Sequence, residues 1–224
     1  MRTIFETAFD VVYLVSVIII GILMVKKSKG DKQYLLFGLM AIVLGSGDAF
    51  HLVPRAIALC TTGLSSYRTA LGIGKMITSI TMTFFYVLLY YVWCLRYKKE
   101  RKCITLTVWV LAILRIVLCL MTQNNWTGEN PPLSWGIIRN IPFLLFGILI
   151  IYLFYTEAKR NNDKDFKYLY LTVVLSFAFY LPVVLFADKY PFIGMLMIPK
   201  TLAYVWTVLI GFNAQRRNIN EKVS

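Results

Sequence analysis

The sequence predicts an all-α fold, a polytopic bundle of seven transmembrane helices with its N-terminus outside and its C-terminus in the cytoplasm. Three observations carry that expectation. Of the 224 residues, 58% are hydrophobic, above the roughly 45–50% usual for a soluble domain, and the mean hydropathy is +0.67. The apolar residues collect in blocks long enough for a helix to cross a hydrocarbon core of about 30 Å, which takes roughly 20 residues. The basic residues fall in alternate turns between those blocks.

The first helix is expected over residues 8–25, ending at Lys26, Lys27 and Lys29. Glu6 and Asp10 sit ahead of its apolar run where a signal peptide would carry a basic region, so the run reads as a retained span. The second helix is expected over 33–54, opened by Tyr34 and closed by Pro54-Arg55. The third, 68–95, ends in the aromatic group Tyr90, Tyr91 and Trp93. The remaining four are expected over 103–121, 135–155, 167–187 and 190–212. Trp and Tyr near span ends suit the interfacial belts of a bilayer. No charged linker is long enough to set off a soluble domain, so 1–224 reads as one helical domain.

Orientation follows from the 24 Lys and Arg residues. Sixteen lie in the 1–2, 3–4 and 5–6 turns and the tail, among them Lys32, Arg96, Lys99, Lys164, Arg217 and Lys222. Only Arg2, Arg55, Arg68 and Lys189 lie on the other side. Lys and Arg mark the cytoplasmic side, and strict alternation requires an odd number of crossings. The net charge of +13 is thereby assigned to topology and not to nucleic acid. The expected setting is the cell membrane, with the lipid bilayer as partner.

The two halves correspond faintly. Gly21-Ile22-Leu23 matches Gly147-Ile148-Leu149, Ala49-Phe50-His51-Leu52 resembles Ala178-Phe179-Tyr180-Leu181, Pro54 and Pro182 follow, and Lys75 has a counterpart in Lys200. This predicts a parallel 3+1+3 repeat of the kind found in transporters such as SWEETs. Short apolar matches also arise by chance, and the proline-glutamine motif of that family is absent.

Four cations, Lys75, Arg115, Arg139 and Lys200, fall inside the expected spans. A charge near the bilayer centre costs roughly 2.5–3.5 kcal/mol on insertion scales, so such residues face a polar interior. Counting about 1.5 Å per residue puts Lys200 roughly 15 Å below the outer surface, Lys75, Asp48 and Arg115 roughly 10 Å, and Arg139 about 6 Å. Asp10, His51 and Tyr180 share this outer half, and Arg55 stands at its mouth. The pattern predicts an outward-facing cationic cavity built from Asp48, His51, Arg55, Lys75, Arg115, Arg139, Tyr180 and Lys200. The cations outnumber Asp10 and Asp48 by two even before Arg55 is counted. Buried charges need partners, and a small anionic ligand or a lipid head group supplies them; arginine suits planar anions best.

Plainer readings stand beside this one. Asp48 pairs with Lys75 or Lys200 as an architectural salt bridge, and His51, which at i+3 is also placed for a proton-linked pair with Asp48, is a satisfied structural histidine. Lys75 and Arg139 snorkel to the interface. Thr78, Ser79, Thr81 and Thr83 bond their own helix or a neighbour. Gly45 and Gly47 permit close helix packing, and Pro142, Pro182 and Pro199 kink helices, with Pro199 freeing carbonyls beside Lys200.

No cofactor or metal is expected. One histidine is too few for a zinc hydrolase, the four cysteines form no CxxC pair, and no HExxH, GxSxG or phosphate-loop motif occurs. A retinal protein would need an acid near a Schiff-base lysine, but Leu196 stands four residues before Lys200. Asn125-Trp126-Thr127 is a glycosylation sequon in an outer loop. Cys60 and Cys119 both lie toward the outside and read as free thiols. Three functions compete: a carrier or binder of a small anionic solute, a membrane receptor or sensor without a soluble output domain, and an enzyme acting on lipid head groups with Asp48 and His51 as acid and base.

Overall fold

The computed structural model describes residues 2–61, 63–187 and 189–221, with the side chains of residues 2–4 and 191 outside that description. Lys222 and the side chain of Arg2 therefore lie outside the described residues. Seven α-helices are present among them: α1 (Arg2–Lys27), α2 (Lys32–Cys60), α3 (Arg68–Tyr97), α4 (Lys102–Leu120), α5 (Leu133–Arg160), α6 (Leu169–Phe186) and α7 (Met197–Glu221). Short 3-10 turns at Leu64–Tyr67, Thr122–Asn124 and Pro191–Leu196 connect them. All seven are long and apolar enough to cross a membrane.

Local chemistry explains the boundaries. Asp31 caps α2 by accepting a hydrogen bond from the Gln33 amide at 3.0 Å. Lys98 ends α3 in the left-handed conformation, φ +50°, a common helix stop. Several boundaries differ from the sequence expectation: α1 starts at Arg2 and not at 8, α5 runs on to Arg160, and α2 and α7 shift further. The second helix does not close at Pro54-Arg55 but runs on to Cys60 with Pro54 inside it, because a membrane helix tolerates the loss of one backbone donor when neighbours pack around it. The seventh begins only at Met197, so Pro199 is its third residue. There its missing N–H is one of the groups without an intrahelical partner in any case, and no kink beside Lys200 is required. The same helix extends past its apolar run to Glu221 because its last turns pack on α1 and α2: Gln215 Nε2 donates to the Met24 carbonyl at 2.9 Å and Tyr34 Oη to the Ala214 carbonyl at 3.3 Å.

Each helix packs against the next and α7 returns to α1, closing a ring; α3 also meets α5, and α2 meets α7. The α2–α3 seam is the closest. A Cβ added at Gly74 would meet the Phe50 carbonyl and stand 2.8 Å from the His51 Cα, and one at Gly47 would meet Thr81. Thr78, Ser79, Thr81 and Thr83 bond backbone carbonyls of Gly47, Lys75, Thr78 and Ser79; Thr78 and Ser79 also line the cavity at that end of the bundle.

One half of the ring is filled by aromatic side chains. Phe37, Tyr86, Tyr90, Trp93, Phe154 and Phe166 are buried, and Trp93 Nε1 donates to the Leu153 carbonyl at 3.0 Å. Beyond them, at the basic end, Arg96 bonds Asp163 through two nitrogens at 2.9 Å. Lys99 pairs with Glu157 at 2.6 Å and Arg217 with Asp165 at 2.7 Å. Asp163 also accepts the amides of Asp165 and Phe166. Burial acts to raise its carboxyl, but the hydrogen bonds from Arg96 and the Phe166 amide outweigh it and hold the group below its ordinary value.

The outer surface is apolar along whole helices. On α4, Leu106, Val110, Ile113, Val117 and Leu120 are exposed at alternating four- and three-residue spacing. In water such a stripe is a large unpaired patch; against acyl chains it is the favourable surface.

Candidate functional site

At the end of the bundle opposite the basic turns lies a cavity of about 390 Å³ to which all seven helices contribute. Asp48, His51, Arg55, Lys75, Arg115, Arg139, Tyr180 and Lys200, the eight residues singled out from the sequence, all line it. They come from α2 through α7, and α1 adds Glu6, Phe9 and Asp10.

Arg115 is the most constrained of them. It is 2% exposed, its guanidinium carbon stands 3.2 Å from the Phe143 ring centroid, and its Nε and Nη1 have no hydrogen-bond partner. Buried polar atoms in native proteins are almost always satisfied, so two orphan donors on one cation mark a place where an acceptor belongs. Lys200 is 8% exposed, with its ammonium 4.8 Å from the Tyr180 ring centroid and 5.5 Å from that of Tyr204. It feels both the attraction of Asp48 and the repulsion of Arg115, so the three groups form one electrostatic cluster. Arg139 donates to Asn124 Oδ1 at 2.9 Å and lies 4.1 Å from the Trp126 ring centroid. Its partners are neutral, so its full charge stays in the cavity. Among the described residues none of these three cations makes an ion pair within 4 Å.

The carboxylates are arranged differently. Asp48 Oδ2 accepts from Tyr13 Oη at 2.6 Å. The Asp48–His51 pair, one of two readings of that histidine, does not form: α1 brings the buried Tyr13 to the carboxylate, and His51 Nδ1 is left without a hydrogen-bond partner. The direct Asp48–Lys200 salt bridge is also not formed; the two act on each other across a longer distance. At the mouth, Arg55 pairs with Glu6 at 2.9 Å. Tyr180 donates to Asn140 Oδ1 at 3.0 Å, which fixes its ring beneath the Lys200 ammonium.

Arg139 is positioned by the connection between α4 and α5. Asn124 Nδ2 donates to the Leu118 and Met121 carbonyls at 2.7 and 2.8 Å, capping the end of α4, and so turns its Oδ1 toward Arg139. Trp126 Nε1 donates to the Cys119 carbonyl at 2.9 Å. This loop fits because α3 presents Gly72, where a Cβ would meet the Trp126 carbonyl.

Sequence reasoning missed Glu6, Tyr13, Asn124, Trp126, Phe143 and Tyr204. Asn124 sits among polar loop residues and Phe143 among apolar ones, so neither stands out. Glu6 did carry a signal, since an acid facing Arg55 at the same membrane end invites a pair. Cys60 is exposed, Cys119 is buried, and both are free. Among the described residues no group of three or more His, Cys, Asp or Glu side chains has the arrangement of a metal site.

No protein-family model matches the chain, and no curated protein or solved structure matches it either. The chemistry of the cavity alone carries the functional conclusion. Five cationic side chains face three carboxylates there, one of the five with orphan donors, so the site is suited to holding an anion.

Proposed function

We propose that this chain is a multi-pass protein of the cell membrane, N-terminus outside, whose outward-facing cavity binds a small anionic solute that the bundle carries across the bilayer. The observation that supports this reading best is Arg115: almost wholly buried, with Nε and Nη1 unpartnered, and in one cavity with Lys200 and Arg139. Holding three cations together without contact counter-ions is costly unless a negative ligand joins them. The aromatic packing and the ion pairs of Arg96 and Lys99 seal the opposite end, so carriage requires that end to open.

The outward assignment rests on the basic turns. A parallel 3+1+3 repeat is part of the same reading: Gly21 abuts α2 at Gly38 and Ile42, Gly147 abuts α6 at Phe177, and Lys75 and Lys200 line one cavity. The lipid-modifying alternative loses its acid–base pair, because Asp48 is engaged by Tyr13, and no feature of the cavity favours a receptor.

The test is made on protein reconstituted in vesicles. Anions such as phosphate, acetate and succinate are expected to raise its thermal stability and to enter loaded vesicles faster than protein-free ones. Equal uptake by the native chain and by Lys200→Ala would remove the carrier reading. Absence of any anion-dependent stabilisation would remove the binding site with it.

A further inference from the structure

We infer that the ligand is an organic anion with an apolar body, seated head-inward: its charged group at Arg115, Lys200 and Arg139, its hydrocarbon part along α6 and the start of α7. This deepens the anion-binding reading and rests on it.

The charges of the cavity wall are unevenly spread. Its acids, Glu6, Asp10 and Asp48, come from α1 and α2. Its least compensated cations come from α4, α5 and α7. The remaining sector carries no charge and is apolar: Val183 and Val184 on α6 and Ala187 at its C-cap, with Met195, Met197 and Ile198 leading into α7; elsewhere apolar residues such as Phe9, Leu52, Met82 and Phe143 stand between the charges. Tyr180, Val183, Val184 and Ala187 follow i, i+3, i+4, i+7 spacing, one face of a helix. That face starts at Tyr180, directly beside the Lys200 ammonium, and climbs about 10 Å toward the mouth at 1.5 Å per residue.

Size points the same way. A water molecule occupies about 30 Å³ of liquid, so a cavity of about 390 Å³ far exceeds a bare inorganic anion. Such an ion would satisfy the cations and leave the apolar sector facing only water. Sites for organic ligands combine a mostly apolar wall with a few convergent polar groups, and this cavity has both, with an uncharged apolar stretch on α6 and the turn before α7. The carboxylates of α1 and α2 disfavour a second negative group beside them, which selects a ligand charged at one end.

The experiment uses the full chain in lipid nanodiscs, titrated calorimetrically with acetate, butanoate, hexanoate and octanoate, with empty nanodiscs subtracted, and with inorganic phosphate and hexylammonium as controls. Dissociation constants are expected to fall about threefold to fourfold per methylene, the factor for burying one CH₂. Val184→Ser with Ile198→Ser should flatten the series; Val184→Ala, a milder change, should reduce the slope if the serine pair fails to fold. Arg115→Met should remove binding of every member. Binding independent of chain length, or a slope unchanged in the α6–α7 variants, would overturn the apolar-body inference and leave the anion site standing. Failure of all carboxylates and of phosphate, or hexylammonium binding as tightly as hexanoate, would overturn the anion reading itself.

Discussion

Arg115→Met separates a functional cation from an architectural one. If Arg115 held the bundle together, methionine would weaken it. In the structure the reverse follows. Two buried N–H groups of Arg115 lack acceptors, each costing about 1–3 kcal/mol. The stacking on Phe143 offsets about 2 kcal/mol of that. Methionine reaches the same ring with a favourable sulfur–aromatic contact, and the repulsion between Arg115 and Lys200 disappears. The net expectation is a gain of about 2 kcal/mol, which for a chain of this size raises the melting temperature by about 4–8 °C. Cys119, fully buried one turn from Arg115, provides the assay: unfolding exposes it to a thiol-reactive dye in a Cys60→Ser, Cys94→Ser, Cys103→Ser background. Anion binding is lost in the same variant. A melting temperature several degrees below the native one would refute the reasoning, since the contacts of Arg115 with Phe143 and Cys119 would then outweigh its two unpartnered nitrogens.

Four further outcomes follow from named contacts. Tyr13→Phe leaves the Asp48 carboxylate without its 2.6 Å donor and should cost about 1–3 kcal/mol, read as a lower melting temperature; an unchanged value would mean that the bond is not formed. Gly74→Ala drives a methyl into the Phe50 carbonyl and the His51 backbone and should cost about 1–3 kcal/mol through overpacking, with weaker anion binding because α2 shifts; the same thermal assay and titration check it. Asp163→Asn breaks the two-nitrogen bond to Arg96 and should cost about 2–4 kcal/mol, less than a wholly buried pair because Arg96 is partly exposed. The native Asp163 carboxyl is held below its ordinary value, so its contribution is whole above about pH 4 and is lost as the pH falls through the folded value; melting curves from pH 6 to pH 3 should show an acid-side decline that Asp163→Asn diminishes. Cys60 and Cys103 are both exposed, at opposite ends of the bundle, so a membrane-impermeant maleimide applied to intact cells should label Cys60 and spare Cys103, and the opposite pattern would invert the topology.

Seven helices and the approximate place of most of them are legible in the chain alone, because the cost of putting polar backbone and charge into hydrocarbon is local and additive along it. The sequence also singled out the intramembrane charges, since Arg115 and Lys200 are conspicuous against apolar neighbours whatever surrounds them. Partnership was beyond its reach. His51 stands three residues from Asp48, yet the carboxylate bonds Tyr13 from another helix, 35 residues away. Pro199 looked like a kink beside Lys200, but its effect depends on where α7 starts, and the 3-10 turn before it moved that start to Met197. Only the packed ring decided that Arg115 meets Phe143 and no carboxylate, that Asn124 turns Arg139 into the cavity, and that one face of α6 gives it an apolar side. Which side chains meet is fixed by helix rotation and close approach at glycines such as Gly74, and those are properties of the assembled bundle that no single span contains.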